Sequence, residues 1–279
     1  MTIDSVRITV LVDEQARDGT FIPEHGFAAW IETAAGAVLF DTGQSEQVLM
    51  HNAQACGIDI SAAAAIVISH GHYDHTGGLA AALSQNRQAP VFIHPAGLQK
   101  RYSYTDPLNP RPVGMPDNVR MVLASSGRAV FTETCTEVLP HIFVTGTIPR
   151  KTPYEDAGGV FSVNKEGTRN DPVSDDQALW IETAQHIVIV TGCAHAGLIN
   201  TLHAVREQAR NKPIALVAGG LHLLHASAER LARTARDAQR YHVPALAPCH
   251  CSGKESMRLF REQYAGEITY LFAGACISR

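Results

Sequence analysis

The sequence predicts an α/β fold in which two packed β-sheets carry helices on their outer faces. Its first half is rich in short apolar strands, and its second half alternates strand, helix and strand. Polar residues recur where predicted strands end, at Asp41, His70, Cys193, His222 and His250. Strand ends along one edge of such a sandwich form a natural site. No linker-like segment interrupts the chain, so we predict a single domain over residues 1–279.

The elements of the first half follow from local patterns. Short β-rich apolar runs predict strands at 7–12, 27–33, 37–40, 63–69 and 91–94. Ala34-Ala35-Gly36 predicts a hairpin turn between the second and third strands. Helices are predicted over 45–56, which ends at Gly57, and over 79–84. The proline-rich stretch 100–120 predicts a long loop that shapes a substrate pocket, with Lys100-Arg101 and the prolines forming a lid.

The second half repeats the rhythm with longer helices. Apolar runs predict strands at 141–146, 176–183, 187–192, 214–220 and 245–250. Helices are predicted over 197–210 and 226–240. The first of these places four apolar residues on one face at helical spacing, namely Leu198, Leu202, Val205 and Ala209.

The composition is that of an ordinary globular protein, with 45% hydrophobic and 18% charged residues in a chain of 279. A formal net charge of −4 gives no overall positive field for nucleic acid or an anionic membrane, and no apolar run approaches the ~20 residues that span a bilayer. Six scattered cysteines and a charged N-terminus predict a cytoplasmic protein with reduced thiols. We therefore expect a small-molecule substrate as the partner, and the oligomeric state stays open.

The stretch SHGHYDH (69–75) contains four potential metal ligands: His70, His72, Asp74 and His75. At a strand end, the first two histidines are spaced to face one ion, and the aspartate and last histidine to face a second. Imidazole and carboxylate suit Zn²⁺, with Mn²⁺ and Fe²⁺ as alternatives. No C-x₂-C pair completes a closed zinc knot, which favours a site with water-exchangeable positions. A surface histidine-rich loop that binds nothing is the less favoured alternative.

The motif H-x-H-x-D-H resembles that of the metallo-β-lactamase superfamily, and LFDTG (39–43) strengthens the resemblance because that superfamily places an aspartate on the strand upstream. The resemblance extends over essentially the whole chain. It implies a four-layer αββα sandwich with a dinuclear metal site at one edge. Further segments resemble the subfamily named for 7,8-dihydropterin-6-methyl-4-(β-D-ribofuranosyl)aminobenzene-5′-phosphate synthase, namely EHGF (24–27), TGTIPR (145–150), TGCAHAGLIN (191–200), AGGLHL (218–223) and PCHCSG (248–253).

The resemblance also implies a ligand set. The first two motif histidines correspond to ligands of the first metal, and Asp74, His75 and His250 to ligands of the second. The chain lacks the PGHT-like loop that usually supplies a third histidine for the first metal, and it has Thr191-Gly192-Cys193 where a TGD-like strand end is expected. We therefore predict that His195 supplies the missing imidazole. Cys193 either binds metal as a thiolate or packs as a small buried residue.

Other residues have predicted roles around this centre. Asp41 is expected to orient a ligand rather than to bind metal. His222 is predicted to line the pocket and to act in catalysis, as a ligand, a proton donor or a substrate contact. Glu24, His25 and Arg150 are predicted to bind substrate or cofactor, and the planar fork of the arginine suits a phosphate or carboxylate. Solvated loop charges or structural ion pairs are the alternative for these three.

Two metals at such an edge would bridge a water, lower its pKa and direct hydroxide at an electrophile, with Asp74 as both ligand and hydrogen-bond acceptor. We predict a metal-dependent hydrolase of a small, anionic or heterocyclic phosphoester, ester or lactone. The alternatives are a pterin-related synthase or transferase, which is the activity in the subfamily's name, and a non-catalytic ligand sensor that contains metal. The chain has no G-x-S-x-G, G-x-G-x-x-G or P-loop motif, so neither a serine nucleophile nor a dinucleotide is indicated.

Overall fold

The structure, a computed structural model, describes residues 2–279. In chain order its strands are β1 (Arg7–Val12), β2 (Ala28–Thr33), β3 (Gly36–Phe40), β4 (Ala63–Val67), β5 (Val91–Ile93), β6 (Tyr102–Ser103), β7 (Arg111–Pro112), β8 (Ala129–Phe131), β9 (Thr136–Leu139), β10 (Ile142–Val144), β11 (Phe161–Ser162), β12 (Leu179–Glu182), β13 (Ile187–Thr191), β14 (Ile214–Gly220), β15 (Ala245–Cys249), β16 (Glu267–Ile268) and β17 (Cys276–Ser278). Its α-helices are α1 (Glu46–Ala55), α2 (Tyr73–Thr76), α3 (Leu79–Gln85), α4 (Asp117–Ser126), α5 (Leu198–Gln208), α6 (Ala228–Gln239) and α7 (Lys254–Arg261).

Two seven-stranded sheets have matching designs. The first runs β17-β1-β2-β3-β4-β5-β8 and the second runs β16-β15-β14-β13-β12-β10-β9. In each sheet, an antiparallel half continues into a parallel half, which begins at the β3–β4 pair and at the β13–β14 pair. A small third sheet joins β11, β6 and β7 beside the main body.

The layers follow from which faces of the sheets are apolar. One cluster of buried residues, with Phe40 and Val190 among them, fills the space between the two sheets. A second packs α5, α6 and α7 onto the outer face of the second sheet, for example through Leu202 and Phe260. A third packs α1, α3 and α4 onto the first sheet, for example through Leu49. The order helix, sheet, sheet, helix confirms the predicted αββα sandwich.

Every predicted strand and helix is present, with ends that differ by three residues or fewer. The prediction of a single loop over 100–120 is wrong in part, because this stretch contains β6, β7 and the start of α4. Two-residue strands are too short to show a periodic pattern. The lid prediction is wrong for Arg101, whose side chain is only 1% exposed. Within residues 2–279, none of the helices has the length and apolar character needed to cross a bilayer.

Candidate metal centre

The candidate centre lies at the edge where the parallel strands of both sheets end. Asp41 follows β3 and the SHGHYDH segment follows β4 in the first sheet. Cys193, His222 and His250 follow β13, β14 and β15 in the second sheet. Because parallel strands direct their carboxyl ends to the same edge, residues more than a hundred positions apart are brought together there.

The first half-site consists of His70, His72 and His195, whose ligand atoms all lie within 4.8 Å of one another. His70 Nε2 lies 2.9 Å from His72 Nδ1. His195 donates from Nδ1 to the carbonyl of Ala157 at 2.7 Å, which leaves its buried Nε2 without a partner. Burial lowers the pKa of His70 and His195 well below the ordinary histidine value, and that of His72 to about 3. Neutral imidazoles are the form that binds metal.

The second half-site consists of Asp74, His75, Cys193 and His250. The Cys193 sulfur lies 3.2 Å from His75 Nε2 and 3.3 Å from His250 Nε2. Asp74 Oδ2 lies 3.5 Å and 3.6 Å from the same two nitrogens. Burial opposes ionisation of Asp74, but His75 and a hydrogen bond from His25 keep its pKa well below the usual range. Cys193 is also grouped with His70 and His75, so its sulfur lies where the two half-sites meet.

Asp41 orients two of the histidines. Its Oδ2 accepts hydrogen bonds from His75 Nδ1 and from the Ser69 hydroxyl, each at 2.7 Å. The Ser69 oxygen lies 2.9 Å from His70 Nδ1. Both rings therefore donate from Nδ1 and present Nε2 to the centre, which fixes their tautomers. Asp41 has a positive φ of 56°, a conformation that aspartate and asparagine tolerate better than most residues.

The donor set fits divalent cations. In each half-site, ring nitrogens lie about 3 Å from one another or from the Cys193 sulfur, and a cation would stabilise such a buried cluster of potential ligand atoms. Three of the rings carry their proton on the outer nitrogen, where Asp41, Glu14 or a backbone carbonyl accepts it. Buried imidazole, carboxylate and thiol ligands of this kind suit Zn²⁺ in particular.

A pair of carboxylates that sequence reasoning missed supports His250. Glu14 Oε1 accepts from His250 Nδ1 at 2.8 Å and from His25 Nδ1 at 2.7 Å. Asp13 Oδ2 accepts from the backbone N–H of His250 at 2.7 Å. Burial raises the pKa of Asp13 to about 6. Burial also disfavours the charge on Glu14, but the two histidines outweigh it and lower its pKa. Both residues directly follow β1, and this strand-end position was the available signal.

A buried ion pair, also missed, lies behind the first half-site. Asp175 Oδ2 accepts the backbone N–H of Gly71 at 2.7 Å and a hydrogen bond from Arg101 Nη1 at 2.8 Å. Arg101 also pairs with Asp171, with Nε and Oδ2 2.7 Å apart. A Cβ at Gly71 would lie 2.0 Å from the carbonyl oxygen of Gly97, so only glycine fits between the two histidines of the motif.

The predicted binding residues occupy different positions. His25 lies at the centre, with Nε2 3.3 Å from Asp74 Oδ2, and its contacts with Asp74 and Glu14 raise its pKa to about 9. Glu24 instead accepts the backbone N–H of Ser45 at the start of α1. Arg150 donates to backbone carbonyls, one of them that of His195 at 2.7 Å. The contacts of Glu24 and Arg150 are therefore structural.

His222 lies beside the first half-site, with its ring centroid 4.2 Å from that of His195. Its Nε2 lies 3.3 Å from the carbonyl oxygen of Gly158, and its buried Nδ1 has no partner. It lines a cavity of about 1100 Å³, which also reaches His25, His250 and Cys251. The second half-site thus opens into a large cavity, and His222 stands at the boundary between the half-sites.

The fold and the site define a class of protein: an αββα sandwich with buried histidine, aspartate and cysteine side chains that could hold metal at one edge of its sheets. The sequence profile of the metallo-beta-lactamase superfamily matches residues 22–250, and the chain belongs to this superfamily. Its members usually hold divalent metal ions.

Individual relatives cover nearly the whole chain. It is 27% identical to the 7,8-dihydropterin-6-methyl-4-(beta-D-ribofuranosyl)-aminobenzene-5′-phosphate synthase of Methanocaldococcus jannaschii, over 99% of this chain and 97% of the relative. It is 30% identical to an uncharacterised protein of the same organism, over 90% and 92% of the two chains. Among solved structures, Tm1679, described as a metal-dependent hydrolase of the beta-lactamase superfamily, is 31% identical with a TM-score of 0.82 over 98% of each chain.

Proposed function

We propose that the protein is a metal-dependent hydrolase that acts on a small, anionic or heterocyclic substrate. The observation that carries the proposal is the buried cluster of potential ligand atoms, which reaches a cavity of about 1100 Å³ at His250. Divalent ions held there, two in number and most readily Zn²⁺, would lower the pKa of a bound water and polarise the bond to be cleaved. The protein residues position these ions and the substrate.

Two side chains have direct roles in this proposal. Asp74, whose Oδ2 lies 3.5 Å and 3.6 Å from the Nε2 atoms of His75 and His250, would ligate metal through this oxygen, and its carboxylate would accept a hydrogen bond from the attacking nucleophile. His222 lines the cavity and contacts the Gly158 carbonyl oxygen through Nε2. We assign its imidazole to the substrate-facing wall, where it would contact the substrate.

The far wall of the cavity supports an anionic substrate. Arg230, Arg233 and Lys254 line it, close to the first residues of α6 and α7. The two arginines are partly neutralised, because Arg230 pairs with Asp156 and Arg233 lies 3.4 Å from Glu229. Guanidinium groups held in this way bind phosphate or carboxylate through paired N–H donors.

Turnover and metal content test the proposal together. We would screen phosphomonoesters, phosphodiesters, lactones and thioesters with the zinc-loaded protein, the chelator-treated protein and His72→Ala. Hydrolysis by the loaded protein alone supports the proposal. His51→Ala is the matched control, because His51 is an exposed histidine of α1 whose Nε2 contacts only the carbonyl oxygen of Thr20. Equal rates with and without metal would exclude a metal-dependent hydrolase.

The cationic wall has its own test. For an anionic substrate, Lys254→Gln and Arg233→Gln should raise KM about tenfold, or ~1.4 kcal/mol, with kcat unchanged. Arg258→Gln is the control, because Arg258 is exposed on the same helix as Lys254 but pairs with Glu255 away from the cavity. An unchanged KM in both cavity variants would remove the anionic wall from the proposal.

A second candidate function is a pterin-related synthase, and two observations favour it. The chain is similar over 99% of its length to a relative named as such a synthase. A cavity of about 1100 Å³ also exceeds the ~300–1000 Å³ typical of a site for one small ligand, so two reactants would fit. No turnover in the hydrolysis screen, together with product formation that depends on a pterin substrate, would favour this candidate over the hydrolase.

A further inference from the structure

We propose that Cys251 is a second thiolate ligand of the metal centre, on its cavity side. The residue belongs to the C-x-C pair at the end of β15, and it lies outside the ligand set that the sequence predicts. The inference rests on the presence of metal at this edge, which superfamily membership implies, and not on the reaction that the metal supports.

The chain path directs the two cysteines of the pair to different places. Cys249 ends β15 and is fully buried in the core between the sheets. His250 then takes a positive φ of 49° and begins a 3₁₀ turn over His250–Ser252. This reversal of the backbone brings Cys251 to the same edge as the ligands and to the wall of the cavity.

The distances place Cys251 within the ligand cluster. Its sulfur, the Cys193 sulfur and a ring nitrogen of His250 all lie within 4.8 Å of one another. The Cys251 sulfur accepts the backbone N–H of His222 at 3.3 Å and lies 3.6 Å from the carbonyl oxygen of Cys193. The ligand atoms of the three histidines of the first half-site also lie within 4.8 Å of one another.

The neighbouring glycine leaves room for this sulfur. A Cβ at Gly220 would lie 2.7 Å from the Cys251 sulfur and 2.2 Å from the carbonyl oxygen of Gly192. A side chain at position 220 would therefore displace the thiol from the centre. The glycine that ends β14 permits the close approach of Cys251 to Cys193.

Ligation would change the chemistry of the centre in a defined way. The Cys251 S–H bond breaks, a sulfur–metal bond forms, and the proton passes to solvent. The backbone N–H of His222 then donates to a thiolate, which is the stronger acceptor. Two thiolates, from Cys193 and Cys251, make the second half-site soft, so it selects Zn²⁺ or Fe²⁺ over Mn²⁺ and Mg²⁺.

Cobalt substitution tests the ligand directly, because thiolates bound to Co²⁺ give a near-ultraviolet charge-transfer band that scales with their number. We would load the chelator-treated protein with Co²⁺ and compare Cys251→Ser, Cys193→Ser and Cys249→Ala with the unsubstituted chain. The band per bound cobalt should fall by about half in each of the first two variants, one thiolate of two. It should be unchanged in Cys249→Ala, because that cysteine lies in the core. An undiminished band in Cys251→Ser overturns the proposal.

A crystal structure of the unsubstituted, zinc-loaded protein gives a second answer if the serine variant fails to take up metal. Anomalous scattering at the zinc edge locates the ions. We expect the Cys251 sulfur at about 2.3 Å from one of them, the length of a zinc–thiolate bond. A sulfur more than about 3 Å from every ion contradicts ligation, whatever the reaction of the protein proves to be.

Discussion

The two half-sites of the centre differ in what surrounds them. His70, His72 and His195 are enclosed: the Phe161 ring lies 5.1 Å from His72 and 5.7 Å from His195, and the Arg101–Asp175 pair lies behind them. The second half-site opens into the cavity through His250, with His25 and Cys251 beside it. One half is thus sealed by buried structure, and the other faces the large cavity.

Their charges differ as well. The first half-site offers three neutral imidazoles and no carboxylate, so an ion there would keep most of its positive charge. The second adds the Asp74 carboxylate and the Cys193 sulfur. We infer that the sealed half provides the stronger electrophile and the open half the firmer hold on metal. Substitutions that act on only one half are the way to test this difference.

The largest effect is expected from His72→Ala or His70→Ala, which removes a ligand of the sealed half. Metal catalysis supplies several kcal/mol of transition-state stabilisation, so turnover should fall about 1000-fold or more. Metal analysis should show the loss of about one ion per chain, while the circular dichroism spectrum and thermal unfolding show an intact fold. Full activity in either variant would refute the assignment of the site.

Breaking the buried ion pair behind the sealed half should have the next largest effect. Asp175→Asn leaves Arg101 with Asp171 alone and weakens the support of Gly71. Removing one partner of a buried pair typically costs about 3–5 kcal/mol, because the remaining charge stays buried and uncompensated. Denaturant unfolding of the metal-free protein measures this loss.

An exposed pair is the control for that measurement. Glu255 and Arg258 lie 2.8 Å apart on the surface of α7, where water screens their attraction. Glu255→Gln should therefore leave the unfolding midpoint unchanged. Equal stability of the Asp175→Asn and Glu255→Gln variants would show that the buried pair does not support the motif loop.

These structural supports mark the limit of what the sequence reveals. The motif histidines are local in sequence, and each strand ends at a recognisable apolar-to-polar change, so both the fold and the positions of His195 and His250 were predictable. The partners of those ligands come from distant segments: Glu14 is 236 residues from His250, and Asp175 is 104 from Gly71. Only the packing of the sheets brings these partners together, and no local sequence pattern predicts that packing.

The same limit applies to the contacts of two arginines, Arg150 and Arg101. Arg150 carries a fork suited to anions, but its acceptors are the backbone carbonyls of His195, Pro172 and Val173. Arg101 lies in a proline-rich stretch typical of a lid, but its side chain is buried and pairs with Asp171 and Asp175. Residue type identifies these groups as cations, whereas their partners depend on the tertiary fold.

A smaller effect is expected at the open half from Asp41→Asn. Asparagine accepts the same positive φ but lacks the charge that holds His75 Nδ1–H. Loss of such an outer partner typically lowers metal affinity about 10–100-fold. Competition with a chromogenic zinc chelator measures it. We expect the ion of the open half to be weakened more, because His75 contacts Asp41 directly whereas His70 of the sealed half is held through Ser69. Equal weakening of both ions would contradict the separation of the two halves.

The smallest effect concerns Glu155, which accepts the N–H groups of Ile199 and Asn200 at the start of α5, just after the loop that carries His195. Burial raises its pKa from 4.5 to about 7. Between pH 4.5 and about pH 7, Glu155 is therefore protonated in the folded protein but ionised in the unfolded chain. The stability that this proton gives is present below about pH 4.5 and is lost as the pH rises through 7.

Glu155→Gln removes this titration and supplies the measurement. The free energy of unfolding of the unsubstituted chain relative to the variant, both free of metal, should fall by ~1–2 kcal/mol between pH 5 and pH 7.5. Glu182→Gln is a control of opposite sign, because a hydrogen bond from Lys212 lowers the pKa of Glu182, so its stabilisation is lost as the pH falls. The contrary result is that the two proteins differ in free energy of unfolding by the same amount at every pH. That result would mean that Glu155 stays a carboxylate throughout this range while it accepts the N–H groups at the start of α5. Titration of Glu155 would then make no contribution to the pH dependence of stability near the sealed half.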